Sequence, residues 1–169
     1  MTVDLRAATA DDIPSLEAAF ESVAAEGRYI GTELPIDWER RRPQLVESLT
    51  DPSWFVLVAV DDGAVVGWAS SHLEQGRTSL GMGLLDGYRS QGLGTKLLAA
   101  VVGWSKQAGA HKVELQVWPT NERAIGLYRK FGFEPEGILR RHYRRNDGSL
   151  WDALSMSLIL DEDSPGGPA

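Results

Sequence analysis

Residues 84–104 read LLDGYRSQGLGTKLLAAVVGW, an apolar stretch that ends a strand, a short polar loop, and a helical pattern whose first turn holds Gly92 and Gly94. A glycine inside a helix costs roughly 1 kcal/mol against alanine. Two in one turn make sense when something has to come close to the backbone. Phosphate is the usual candidate, because the first N–H groups of a helix lack intrahelical partners and lie at the positive end of its dipole. Two common phosphate loops fit poorly. Gly87 and Gly92 have the spacing of a nucleoside-triphosphate loop, but Leu93 stands where the lysine has to be. Gly92 and Gly94 begin a dinucleotide fingerprint, but Leu97 occupies its third position and the loop before them is too long. From this segment alone, a glycine-rich connection without a ligand stays open as well.

Around this unit the chain alternates strand-like and helix-like periods. Residues 3–7 are a short strand, and 9–27 carry Ile13, Leu16, Phe20 and Val23 on one helical stripe that Gly27 stops. Residues 37–49 form a more polar helix that Pro43 is expected to bend or break. Two apolar runs within 54–74 flank Asp61-Asp62-Gly63, a strong hairpin signal. A strand at 78–85 leads into the glycine loop, and Leu93, Leu97, Val101 and Trp104 give the stripe of its helix up to Gly109. A strand at 112–118, a helix at 121–132 and two late strands within 133–145 and 151–160 complete the chain. An early hairpin followed by strand–helix alternation implies an α/β (α+β) mixed sheet with helices on both faces. With 169 residues, one domain suffices. We expect it to span 1–160, with the acidic, Gly/Pro-rich 161–169 as a disordered tail.

Composition narrows the ligand. Seventeen Lys and Arg against 24 Asp and Glu give a net charge of -7, which disfavours a surface for nucleic acid or anionic lipid and favours a small molecule. With no cysteine there is no disulfide frame, thiolate nucleophile or cysteine zinc site, and His72, His111 and His142 lack a metal spacing. The N-terminus has no basic-then-apolar signal, and no run approaches the ~18 apolar residues of a membrane span. A soluble, cytoplasmic protein with no membrane partner is the expectation.

The run Arg89-Ser90-Gln91-Gly92-Leu93-Gly94 matches the pattern Arg/Gln-x-x-Gly-x-Gly/Ala, and VVGWASSHLE, VELQV, NERAIGLYRKFGFEPEG and DGSLWDALSMSL accompany it in order. On these stretches the chain resembles the GNAT N-acetyltransferases over nearly its full length. The last two look like the small-molecule and amino-acid subgroup, although protein N-terminal acetyltransferases share much of them. The resemblance implies the GNAT acyl-CoA N-acyltransferase fold, about seven strands flanked by about four helices, with acetyl-CoA as cosubstrate and a homodimer as a candidate assembly. It places the CoA pyrophosphate on the loop of Arg89, Ser90, Gln91, Gly92, Leu93, Gly94 and Thr95, through backbone N–H groups. The pantetheine arm would lie along Met82, Gly83 and Leu84 like an added strand, between two strands that splay. Gly81 and Gly83 serving only a bulge is the plain alternative. Asn121 matches the family's asparagine near CoA, and an N-cap explains it equally well.

Amide formation from a thioester needs a neutral amine, a polarised carbonyl and a proton for the leaving thiolate. Tyr128 aligns with the family's tyrosine and is the candidate acid, against a plain core tyrosine beside Ile125 and Phe131. Glu114 and Gln116 leave one face of their strand. Many relatives hold a catalytic glutamate where Gln116 stands, so the base candidate moves to Glu114, through a water, with a merely solvated or ion-paired Glu114 as the alternative. Acceptor selection is expected from the segment between the first two helices and from the late hairpin. There Arg140, Arg141, Arg144 and Arg145 could pair with a substrate carboxylate or the CoA 3′-phosphate, a solvated hairpin being the favoured reading, and Glu26, Glu33 or Asp37 could anchor an ammonium. The expected activity is acetyl transfer to a small-molecule primary amine by direct attack in a ternary complex, without metal or acyl-enzyme. A protein N-terminal acetyltransferase and a non-catalytic CoA-binding module are the alternatives.

Overall fold

The computed structural model describes residues 3–163 and 167. Strands β1 (Asp4–Ala7), β2 (Trp54–Asp61), β3 (Ala64–Glu74), β4 (Arg77–Leu84), β5 (Lys112–Val117), β6 (Glu134–Arg144) and β7 (Leu150–Ile159) form one sheet in the order β1-β2-β3-β4-β5-β7-β6. Helices α1 (Ile13–Ala25), α2 (Trp38–Ser48), α3 (Leu93–Gln107) and α4 (Glu122–Lys130) flank it. The mixed sheet and helix count match expectation, and every element lies between Asp4 and Ile159. Most of the tail expected to be disordered falls outside the described residues. No helix among them is long and apolar enough to cross a membrane.

The turns follow from backbone chemistry. Asp62 and Gly63 both have positive φ, 48° and 78°, as a two-residue type I′ turn requires, and Asp61 then pairs with Ala64. Gln75-Gly76, at 51° and 75°, closes the next hairpin the same way, with Glu74 opposite Arg77. The β3–β4 register then runs unbroken to Gly67 and Leu84, so Gly83 serves no bulge. A Cβ on Gly83 would lie 2.4 Å from the Trp68 ring, which packs directly over it.

All neighbouring strands are antiparallel except β4 and β5, which pair in parallel only over 77–79 and 112–114. Beyond those residues β4 continues against β3 alone and β5 against β7 alone. The sheet is therefore split in its middle. Leu16, Ala19 and Val23 of α1 pack with Val58, Val65 and Trp68 on one face. Leu97 and Val101 of α3 pack with Leu57 and Ala69, the residues that point the other way, on the opposite face. Leu98 and Val102 of α3 join Ile125 and Tyr128 of α4 over Val113, Leu115 and Val117, so α4 shares the α3 face.

Of the bend or break expected at Pro43, the break does not occur: α2 continues through it. Asp37 caps the helix by accepting from the Arg40 N–H at 3.0 Å. Both Glu39 and Pro43 are exposed, so water can take the carbonyl that the missing N–H leaves free.

Candidate active site

A cavity of about 670 Å³ occupies the split. Its walls come from α3, α4 and the far end of β4, and also from α1 and residues 29–32 that follow it. Since α1 and α3 lie on opposite faces, the cavity passes through the sheet. Two reactants can enter from different sides and meet in the gap.

The α3 end is made of backbone. After β4 a single 3-10 turn, Asp86–Tyr88, leads to Ser90 and Gly92, both in the left-handed region at φ 63° and 81°. Gly92 is the N-cap of α3 and no side chain caps the helix, so its first N–H groups are left for a ligand. Ser90, Gly92, Gly94 and Thr95 line the cavity, and a Cβ on Gly94 would come within 3.3 Å of Leu127. Gln91 and Leu93 do not line it: the Gln91 amide folds back on the Gly87 carbonyl at 2.7 Å, and Leu93 is buried in the core. Only their backbone can serve a phosphate.

Arg89 is corrected in the same sense. Its Nε donates to the Leu84 carbonyl at 3.0 Å and Nη2 to the same oxygen at 2.8 Å. Nη1 donates to Glu26 at 2.8 Å and to Asp86 at 3.1 Å, and Nη2 also donates to Glu26. These five bonds match the five N–H donors of a guanidinium, which also stacks on Tyr29 at 4.3 Å. Arg89 shapes the loop and has no donor left for a phosphate.

Met82, Gly83 and Leu84 line the gap, on the stretch of β4 that β5 has left. A chain with its own amide groups can pair there as a strand would. Across the gap Asn121 caps α4 by accepting from the Ala124 N–H at 3.2 Å and lines the cavity, its amide N–H2 still available.

Tyr128 of α4 also lines the gap. It packs against Phe133 with ring centroids 5.7 Å apart, and its hydroxyl has no hydrogen-bond partner among the described residues. Burial pushes that hydroxyl up to about 12, so it holds its proton at every working pH. Glu114 takes the ion-paired alternative. It lies at the closed apex opposite Ser79, is ion-paired with Arg77 at 3.4 Å, and is not part of the cavity wall. Gln116, two residues nearer the opening, does line the cavity and accepts from the Tyr143 hydroxyl at 2.5 Å.

The α1 end is made of side chains and closed by long-range contacts. Arg145 is buried, a fact hidden in a basic run that reads as solvated; Arg140, Arg141 and Arg144 are indeed exposed. Its guanidinium donates to the Gly31 carbonyl at 2.8 Å, approaches Glu33 at 3.5 Å and stacks on Trp151 at 4.6 Å. The Asn146 N–H donates to Glu33 at 2.8 Å. Segment 29–34 is thus latched to the β6–β7 turn. None of the three acidic residues considered as ammonium anchors is free: Glu26 holds Arg89, Glu33 holds the latch, and Asp37 caps α2. Trp118, which sequence reading passed over, forms part of this wall with Tyr143 and Trp151 edge-on to it, both at 5.1 Å.

Comparison with known proteins gives the family. The model of the Acetyltransferase (GNAT) family matches residues 20–133. The chain is 37% identical over 129 residues to an N-alpha-acetyltransferase of Sulfurisphaera tokodaii, covering 68% of this chain and 75% of that protein. It is 28% identical over 168 residues to the L-methionine sulfoximine/L-methionine sulfone acetyltransferase of Pseudomonas aeruginosa, covering 95% and 96%. The structure of a phosphinothricin acetyltransferase from Sinorhizobium meliloti in complex with AcCoA superposes with a TM-score of 0.84 at 24% identity, over 100% of this chain and 94% of that one.

Proposed function

The chain belongs to the GNAT family and is an acetyl-CoA-dependent N-acetyltransferase, and from that premise we propose that its acceptor is the primary amine of a small molecule, acetylated by direct attack in a ternary complex. The observation that carries this reading is the single cavity crossing the sheet, with an uncapped helix start on one face and an aromatic, latched end on the other. The amino-acid acetyltransferase relative, similar over nearly the whole chain, supports a small acceptor.

The residues present fit acetyl-CoA. Uncapped N–H groups of Gly92, Leu93, Gly94 and Thr95 suit a pyrophosphate, Gly94 leaves room where a larger side chain would press on Leu127, and the free edge of Met82, Gly83 and Leu84 suits an arm that carries amides. When bound, acetyl-CoA supplies an activated acyl carbon and a thiolate leaving group. The protein's part is to hold, orient and proton-balance. The amine nitrogen forms the new N–C bond as the C–S bond breaks. Tyr128 offers its O–H to the departing sulfur, and the amine's extra protons leave through water. Because no carboxylate lines the α1 face among the described residues, the amine reacts after losing its ammonium proton to solvent.

The test is a screen of amines, amino acids, polyamines and short peptides with acetyl-CoA, read by free thiol. Turnover of small amines is expected. Turnover of peptides alone would transfer the chain to the N-terminal acetyltransferases.

A further inference from the structure

On the α1 face of the cavity the only charged side chain among the described lining residues is Arg89, and all its donors are engaged. The other charges near that face are occupied or outside. Arg145 holds Gly31 and Glu33, Arg28 is exposed over the Tyr29 ring without reaching the lining, and Arg41, also exposed and outside the lining, donates to the Thr32 hydroxyl. The charged lining residues Glu122, Arg123 and Lys130 all belong to α4, on the opposite face. What remains on the α1 face is aromatic and neutral, with Phe20, Tyr29, Trp68, Trp118 and Tyr143 in the wall. Phe20 stacks on Trp68 at 4.4 Å, so the surface is rigid as well as apolar.

A free carboxylate brought there would lose its water and meet no cation, which is the costly case for a buried charge. An uncharged oxygen would fare otherwise. The Tyr143 hydroxyl fixes the Gln116 amide by its oxygen, which leaves the amide N–H2 as a neutral donor in this wall. A neutral acceptor can pair with it at no cost in buried charge. The Trp118 indole N–H, without a partner among the described residues, is closed off from the cavity surface.

Resting on the small-molecule reading above, we propose that the acceptor is a primary amine on an apolar, aromatic-sized frame whose oxygen, where it has one, is an uncharged carbonyl, and that the free carboxylate of an amino acid is excluded. Arg145, the cation that a carboxylate would need, is instead used to close the pocket. In this respect the pocket is built against the zwitterion that an ordinary amino acid presents.

The experiment compares phenylalaninamide, phenylethylamine and phenylalanine with acetyl-CoA, by kcat/KM, on the full chain. Both carboxylate-free amines should exceed phenylalanine by roughly 100-fold or more, since an unpaired buried charge is disfavoured by at least that factor. Phenylalanine accepted as well as either amine overturns the proposal and leaves the small-molecule reading intact. Turnover of a phenylalanine-initiated peptide with none of the three small amines overturns that reading itself, a different signature. One variant sharpens the result. Gln116→Arg places a cation at the wall and should raise activity on phenylalanine relative to phenylethylamine; no change in that ratio counts against the proposal.

Discussion

The two ends of the cavity are built from different materials. At the α3 end the groups on offer are backbone N–H groups from one short run, 90–95, beside the unpaired edge of the preceding strand. At the α1 end the wall is made of side chains from α1, the segment after it, β3, the end of β5 and the last hairpin. It is held together by an arginine 114 residues from the carbonyl it bonds. A backbone site tolerates only the residues that leave the backbone accessible. A side-chain site can be rebuilt with each new ligand. On the reading we propose, the family's shared cosubstrate belongs at the first end, and whatever distinguishes this chain belongs at the second.

The sharpest probe sits between them. Tyr128→Phe keeps the ring against Phe133 and removes one hydroxyl. It should lower turnover roughly 10- to 1000-fold, the scale of general acid catalysis and a little below, while thermal stabilisation by acetyl-CoA persists by mass action. Since burial holds the hydroxyl up to about 12, the wild type should show no alkaline loss through pH 10. Full turnover in the variant would mean that both ends bind and neither end's neighbour does chemistry.

Next come variants that should hit one end only. Gly94→Val puts methyl groups against Leu127, whose Cδ2 would already stand 3.3 Å from a Cβ. The KM for acetyl-CoA should rise by roughly ten- to a hundredfold, a steric cost of about 1 to 3 kcal/mol, with the acceptor KM little changed. Gly92 has open space around its Cβ but φ 81°, so Gly92→Ala should cost about 1 kcal/mol of stability through backbone strain and less in KM. At the other end, Arg145→Met removes the bonds to Gly31 and Glu33 and keeps some bulk beside Trp151. It should raise the acceptor KM by about tenfold and lower stability by roughly 1 to 3 kcal/mol, with the KM for acetyl-CoA unmoved. If either substitution raised both constants equally, the division into two ends would be wrong.

The same division explains what could be read in the sequence. Strand periods, the Asp62-Gly63 turn and the glycines of the phosphate loop are local: a dihedral sign or an alternation demands a residue type at a fixed position, and the residue announces it. Gly83 was legible as unusual but not as to cause, because Trp68, which excludes its Cβ, stands across the sheet. Arg89 reads as a ligand residue until its three acceptor residues are located, and these come from a helix end, a strand end and a turn. Arg145 lies among four arginines with nothing local to distinguish it. Pro43 misled for the opposite reason, since a local rule against proline is relaxed by solvent at an exposed helix position. Long-range assembly, and exposure, are what a single sequence leaves unsaid.

The smallest expected effect belongs to Glu114, and its smallness is informative. Strand alternation puts Glu114 and Gln116 on one face, and only the carboxylate can accept a proton at neutral pH. Yet Glu114 sits where β4 and β5 are still paired, with its charge turned to Arg77 at 3.4 Å and its side chain 34% exposed. A base that serves the gap from there would need water to carry the proton past Gln116. We therefore expect Glu114→Gln to alter kcat by less than about twofold, in keeping with an exposed ion pair of small worth. The proton must then leave the acceptor in solvent, and the acceptor's own pKa sets the pH dependence. An amine of pKa about 9 is roughly one per cent neutral at pH 7, so kcat/KM should rise about tenfold per pH unit until that pKa and then level. Measured with a second acceptor whose pKa is lower, the plateau should begin earlier by the same interval, in the wild type and in Glu114→Gln alike. A midpoint that stays fixed when the acceptor changes, and that disappears in Glu114→Gln, would restore the glutamate as base and make the apex of the split part of the reaction centre.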